Sequence, residues 1–480
     1  MQNNKFIIFL KALSISEIKD FEQFIVKNST KGSKDLKTFF AYLRKLHPEF
    51  PESKINREKV AKKMFPKDAN KFKKIENILY KLRQLLKSFM IQEELKREQK
   101  HQDFLYLKAL RRRKLDKYFF KQVNQVEEEW QKTPESGIEH LHDIYRLKTL
   151  RHSHPNYLGA KVSSEYKHLI QLIDQYYCAL KLYWTLCAYN TNSYINNADN
   201  ALEEKVFPIA AILDFIDTKS FDTHYPISLL KQILKVIIEK DFQQYSIIKA
   251  MFFQEFERFS KQEKNDLLVF LTQICYENFK KGEKNALNEL FELKRFSVEK
   301  EIIFEDGYIA SDLFQNIVNI ACAAQQLEWV ESFINDYAIF LLEDERKDTV
   351  SLVKSNLYFN KKEYEKVLEE LALLKFHNVF YGIQARAIKL QAYYELEGYE
   401  ESFFNLISSF NLLLYRNEHL SENHKKDFSN FLFFIKKLQK AKILSSSNIH
   451  NLCEKIIACE ELVYKSWLLA KVNILSKKNT

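Results

Sequence analysis

The 254 residues after Pro226 contain no proline, and the whole 480-residue chain holds only seven glycines and seven prolines. Proline presets φ and removes a backbone donor, while glycine supplies the positive φ that tight hairpin turns demand. A chain this poor in both lacks the turn chemistry of all-β folds. Gly-rich phosphate loops and long flexible linkers are disfavoured on the same ground. Helices joined by short connections remain, and the fold class reads as all-α. Hydrophobic residues at 46% and charged residues at 29% leave enough apolar surface for sizeable cores.

Local patterns place several helices. Ile75, Ile78, Leu79, Leu82, Leu85, Leu86 and Phe89 recur at spacings of three and four, which predicts a helix over about 70–97 with one apolar stripe. Ser14 followed by Glu17 is a capping-box signature for a helix start. The run Phe6 to Leu10 is interrupted by Lys11 with no small-residue cleavage site after it, so it predicts a helix, not a signal peptide. No stretch is long and apolar enough to predict a membrane span. Cys178, Cys187, Cys275, Cys322, Cys453 and Cys459 are scattered without a C-x-x-C pair, as expected for reduced thiols in a cytoplasmic protein.

The net charge of +10 is unevenly placed: residues 1–114 carry 29 Lys+Arg against 13 Asp+Glu, and the rest of the chain is net acidic. Lys71, Lys74, Lys81, Arg83 and Lys87 lie off the apolar stripe of the 70–97 helix, and Arg111, Arg112, Arg113 and Lys114 form the densest basic run. Such side chains bind phosphates by displacing counterions. Four consecutive helical residues fan over about 300°, however, so the run cannot all face one partner. Residues 1–114 are therefore expected to meet nucleic acid or an acidic protein, or simply to complement a solvated helix end.

A repeat organises the later chain. Trp329, Tyr364 and Tyr399 each follow a short polar turn at intervals of 35 residues, and Tyr358 and Tyr393 precede the last two by six. Each interval reads as helix, turn, helix, with the aromatic of the first helix packed on that of the second. Ser355, Tyr358, Tyr364, Val367 and Leu371, then Tyr393, Tyr399 and Leu406, make this region resemble the tetratricopeptide repeat family over Leu313 to Tyr415. The resemblance implies an α-hairpin solenoid with a concave groove, and it places Asn356, Phe359, Gln391 and Tyr394 on that groove as partner contacts. A carboxylate clamp is not expected, because Leu352 stands where its basic residue would be.

A fainter resemblance covers residues 55–86, where Ile55 to Pro66 and Ile78 to Leu86 look like the second and third helices of winged-helix domains in bacterial activators that also carry such repeats. That family would imply DNA binding through the helix around Phe72 to Phe89. After Leu86, Met90 to Leu95 continue the helix in place of a β-hairpin wing.

Catalytic chemistry is not expected. His140, His142, His152, His154 and His168 cluster, but His140 and His142 point about 200° apart on a helix and no metal-ligand spacing accompanies them. No phosphate-binding loop motif occurs, and the cysteines lie among apolar neighbours. The expectation is a basic helical module over 1–90, an irregular helical-hairpin array over 91–312, and tetratricopeptide-like repeats with C-terminal helices over 313–480. Its expected work is non-catalytic, as a scaffold or adaptor binding protein or peptide partners without a cofactor or metal. The alternatives are a nucleic-acid-binding regulator and an enzyme with an unfamiliar site.

Overall fold

A computed structural model describes the chain apart from residues 1–3, 29–33, 67, 134–136, 158–161, 195–207, 281–282, 284, 373, 375–378, 418–419, 445–448 and 479–480. Among the described residues it is all-helical, with a single isolated bridge between Glu305 and Tyr308 and no strand. No described helix is long and apolar enough to cross a membrane. The chain divides into two compact units, residues 1–133 with 143–162, and residues 134–142 with 163–480.

The first unit opens with α1 (Lys5–Lys11), capped by Asn4, whose Oδ1 accepts the Phe6 N–H at 2.9 Å. The predicted capping box starts α2 (Ile15–Asn28): Ser14 N donates to Glu17 Oε2 at 2.7 Å and Glu17 N donates to Ser14 Oγ at 3.2 Å. After α3 (Lys34–Arg44), α4 (Glu52–Ile55) and α5 (Arg57–Met64) comes α6 (Lys71–Arg97), the helix read from its stripe. Six of the seven stripe residues are buried, and Leu85 is partly so. Phe21 holds that core together, edge-on to Phe40 at 5.1 Å and tilted against Phe89 at 5.3 Å. The expected boundary at residue 90 falls inside α6, which runs on to Arg97 and packs on α7 (Gln99–Arg112). A second cluster joins α7, α8 (Asp116–Lys132) and the later part of α9 (Ile138–His152) around Phe104, Phe119, Trp130 and Leu147. Glu127 ties it by accepting from Lys148 and Arg151.

In the second unit, a Cβ at Gly137 would overlap the Glu263 carboxylate. That carboxylate accepts the N–H groups of Ile138 and Ser260, so one buried acid caps both α9 and α14 (Lys261–Lys280). Between them lie α10 (Val162–Tyr194), α11 (Ile209–Thr218), α12 (Ile227–Glu239) and α13 (Tyr245–Gln254) around a core containing Leu182, Ile233, Phe252 and Phe270. From α15 (Ala286–Glu299) onward, each helix packs on its sequence neighbour.

Three helix–turn–helix pairs occupy the predicted repeat region: α16 (Ser311–Ala323) with α17 (Leu327–Tyr337), α18 (Glu343–Asn360) with α19 (Tyr364–Ala372), and α20 (Val379–Glu395) with α21 (Glu400–Arg416). The leading helices also pack in series, α16 on α18 and α18 on α20. The first two turns are Schellman motifs, closed by Gln326 N to Ala321 O and Glu363 N to Tyr358 O, both at 2.9 Å. They place Gln325 and Lys362 at φ of 59° and 63°, whereas the third turn uses Gly398 at φ 80°.

The equal sequence spacing of the aromatics does not make them structurally equivalent. Trp329 is the third residue of α17, Tyr364 the first of α19, and Tyr399 the N-cap of α21. Tyr393 stacks on Tyr399 at 5.0 Å, as predicted, but Phe359 and not Tyr358 meets Tyr364, edge-on at 5.5 Å. Buried Gly382, Ala385, Ala387 and Ala392 let α20 sit against α18, α19 and α21 at once. The chain continues through α22 (Glu422–Leu444), α23 (Ile449–Ala458) and α24 (Lys465–Lys478), which share a core with α20 and α21. The expected boundary at 312 falls at the start of α16, which packs directly on α15.

Candidate functional site

The three leading helices each turn one stripe toward a common cavity of about 780 Å³. The stripes are Gln315, Asn319 and Cys322 from α16, Leu352, Asn356 and Phe359 from α18, and Gln384, Ile388 and Gln391 from α20. Steps of four and then three residues recur in each, because that spacing keeps side chains on one helical face. Phe279 of α14, Asp427 and Phe428 of α22, Tyr464 just before α24 and Trp467 of α24 also line it. The volume is within the range of small-molecule and peptide sites, about 300–1,000 Å³.

Amides dominate the polar part of this wall. Asn356 Nδ2 donates to Asn319 Oδ1 at 2.7 Å, and Asn360 Nδ2 donates to Asn356 Oδ1 at 3.0 Å, so the row is orientated by its own hydrogen bonds. Gln315 differs: it is only 6% exposed, and its Nε2 has no partner among the described residues. A buried donor without an acceptor costs about 1–3 kcal/mol. The Nε2 atom is itself shut off from solvent, and because glutamine χ3 is a broad torsion, rotation of the amide would be needed to turn its donor toward a carbonyl in the cavity.

Of the residues placed on the groove by sequence, Asn356, Phe359 and Gln391 line the cavity, and Phe359 also packs on Tyr364. Tyr394 does not line it. That ring is 4% exposed, held edge-on against Trp467 at 5.4 Å with Lys442 Nζ over its face, because α22 and α24 cover the end of α20. Gln315 escaped sequence reading. Counting 35 residues back from Asn356 reaches Ala321, which is buried in the apolar cluster, whereas the equivalent stripe position is Asn319. The shift reflects the different helix phase after the α16–α17 turn.

The electrostatics of the cavity are sparse. No lysine or arginine is among its described lining residues, although the chain has 74. Burial pushes the Cys322 thiol and the Tyr464 hydroxyl up to about 12, so both are neutral. Asp427 is raised by burial, an effect that the neighbouring His424 opposes. No cation lies within ion-pair distance of Asp427 among the described residues, since the adjacent Lys425 pairs with Glu422 at 2.9 Å and Lys426 with Glu461 at 2.5 Å.

The basic candidates of the first unit are partly occupied. Lys74 bridges Asp35 at 2.8 Å and Asp68 at 3.2 Å and lies over Phe65, so it ties α3, Phe65 and Asp68 to α6. Arg83 lies over Tyr80, and Lys71, Lys81 and Lys87 sit on the outer side of α6 with intermediate or full exposure. Arg111 donates to Ser153 Oγ and O, Arg113 donates to Ala109 O, and Lys114 closes the α7 C-terminus at φ 56°, leaving Arg112 exposed. The helix end thus uses two of the four basic side chains internally.

The histidines serve packing where their contacts are described. His154 stacks on Phe119 at 4.6 Å with Nε2 facing Asp116, and His142 stacks on Tyr176 at 5.2 Å. No metal-holding group of His, Cys, Asp or Glu side chains occurs among the described residues. Cys178 and Cys275 are buried thiols pushed up to about 11, which removes thiolate character at neutral pH. No protein-family model, no curated protein and no solved structure matches the chain.

Proposed function

We propose that this chain is a non-catalytic, tetratricopeptide-like binding protein, a cytoplasmic scaffold or adaptor whose cavity receives an extended segment of a protein partner. The observation that carries the reading is the buried Gln315 donor, unpartnered beside a row of orientated asparagine amides. Backbone amides and carbonyls are what such side chains match, and the aromatic wall suits the apolar side chains between them. Neighbouring packed helices are about 8–10 Å apart, so three leading helices span roughly 16–20 Å. An extended chain crosses that distance in about five or six residues at ~3.3 Å each. The paired helices at a near-35-residue interval support the repeat reading, and six free cysteines support a reducing compartment.

The test is a positional-scanning library of N-acetylated hexapeptides presented to the full chain. Saturable binding is expected, weakened at least about tenfold by Gln315→Met and by Asn356→Ala, in line with the loss of one hydrogen bond to a buried group. Absence of saturable binding by every pool would overturn the reading.

A further inference from the structure

The cavity departs from the rest of the molecule in charge. A chain with 74 basic residues contributes none to the described lining, while Asp427 enters it half-buried and without an ion pair. Removing a carboxylate from water is unfavourable unless a counter-charge compensates it. The two lysines that precede Asp427 in sequence are held by Glu422 and Glu461. Among the described lining residues, His424 is the other charge-capable group, and its Nδ1 lies 2.8 Å from Ser421 Oγ. Phe428 and Tyr464 also line the cavity with ring surface, as does Trp467, whose ring already has Lys471 Nζ over it at 5.7 Å. Aromatic faces attract cations, and most strongly where water is excluded.

We infer that the cavity selects a peptide segment carrying a cationic side chain, with Asp427 as its counter-ion and the aromatic wall around its aliphatic stem. This rests on the peptide-binding reading above and adds the chemical class of the ligand. An anionic segment is disfavoured by the same arrangement, since it would meet Asp427 with no lysine or arginine to offset it. A neutral apolar segment would leave Asp427 as unpaired as it is in the free protein.

The hexapeptide library tests both levels. Lysine or arginine should be enriched at one library position, and Asp427→Asn should reduce the preference for lysine over glutamine there by about tenfold, the scale of one charge-assisted contact. Asp427→Glu should retain it. The best lysine peptide should bind at least about tenfold more tightly than its norleucine counterpart, which keeps the stem and lacks the ammonium group. That comparison uses the wild-type chain alone and holds even if Asp427→Asn fails to fold. Saturable binding with no basic preference, equal binding of the lysine and norleucine peptides, or an unchanged lysine preference in a folded Asp427→Asn would each overturn the cationic assignment while leaving peptide binding intact. No saturable binding at all would instead remove the peptide reading itself.

Discussion

Replacing Gln315 by methionine should stabilise the fold and weaken its peptide binding at least about tenfold. Gln315 is 94% removed from solvent, and its Nε2 finds no acceptor among the described residues. Leaving such a group unsatisfied costs about 1–3 kcal/mol, and methionine keeps the unbranched shape while removing the polar atoms. Allowing for whatever the other amide oxygen gains, the net effect should be about 1–2 kcal/mol in favour of the folded state. Hydrogen exchange read by mass spectrometry over α16 and α18 resolves this locally and does not require the two units to unfold together. Exchange through opening of these helices should slow by about 5–30-fold. Stabilisation combined with weakened peptide binding is the signature of a site held at the expense of stability. Exchange accelerated fivefold or more would show that the Gln315 amide is already satisfied, and the argument for its role would fail.

Three further outcomes follow from local geometry. Gly137→Ala forces a methyl group onto the Glu263 carboxylate and breaks its hydrogen bonds to Ile138 N and Ser260 N, so thermal unfolding should show a loss of about 2–3 kcal/mol; a change under 0.5 kcal/mol would contradict the packing. Lys362→Gly relieves a non-glycine residue at φ 63° and should raise stability by about 0.5–1 kcal/mol, read from the urea midpoint, with destabilisation the contrary result. Glu17 is held below its ordinary carboxylate value of 4.5 by the hydrogen bond from the Ser14 backbone N–H. Its folded pKa being depressed, its contribution is fully present above that ordinary value and is lost as pH falls through the folded value. The stability gap between wild type and Glu17→Gln should therefore close only on the acid side, and a gap independent of pH would refute the assignment.

Features set by a few neighbouring residues were readable in advance. The stripe of α6, the Ser14–Glu17 box and the helix–turn–helix pairs between 311 and 416 depend on side chains three or four positions apart, and all are present. Lys74 shows where that reach ends. Its place off the stripe marked it as a surface charge, yet Asp35, 39 residues earlier, takes it as an ion-pair partner. The groove shows the same limit in register: a constant 35-residue step carries Asn356 to Gln391 and Ala321, whereas the central places of the neighbouring stripes are Ile388 and Asn319; α17 begins two residues earlier relative to its aromatic than α19 does.

From residue order alone came an all-α chain, the helix pairs of its later half and a basic first quarter, since backbone hydrogen bonding and amphipathic periodicity operate within one or two turns. The cavity is of another kind. Its walls run from Phe279 to Trp467, and its two informative side chains, Gln315 and Asp427, matter because they lack partners among the described residues. Whether a buried polar group is satisfied depends on every element folded around it, and only the packed helices of the second unit decide that.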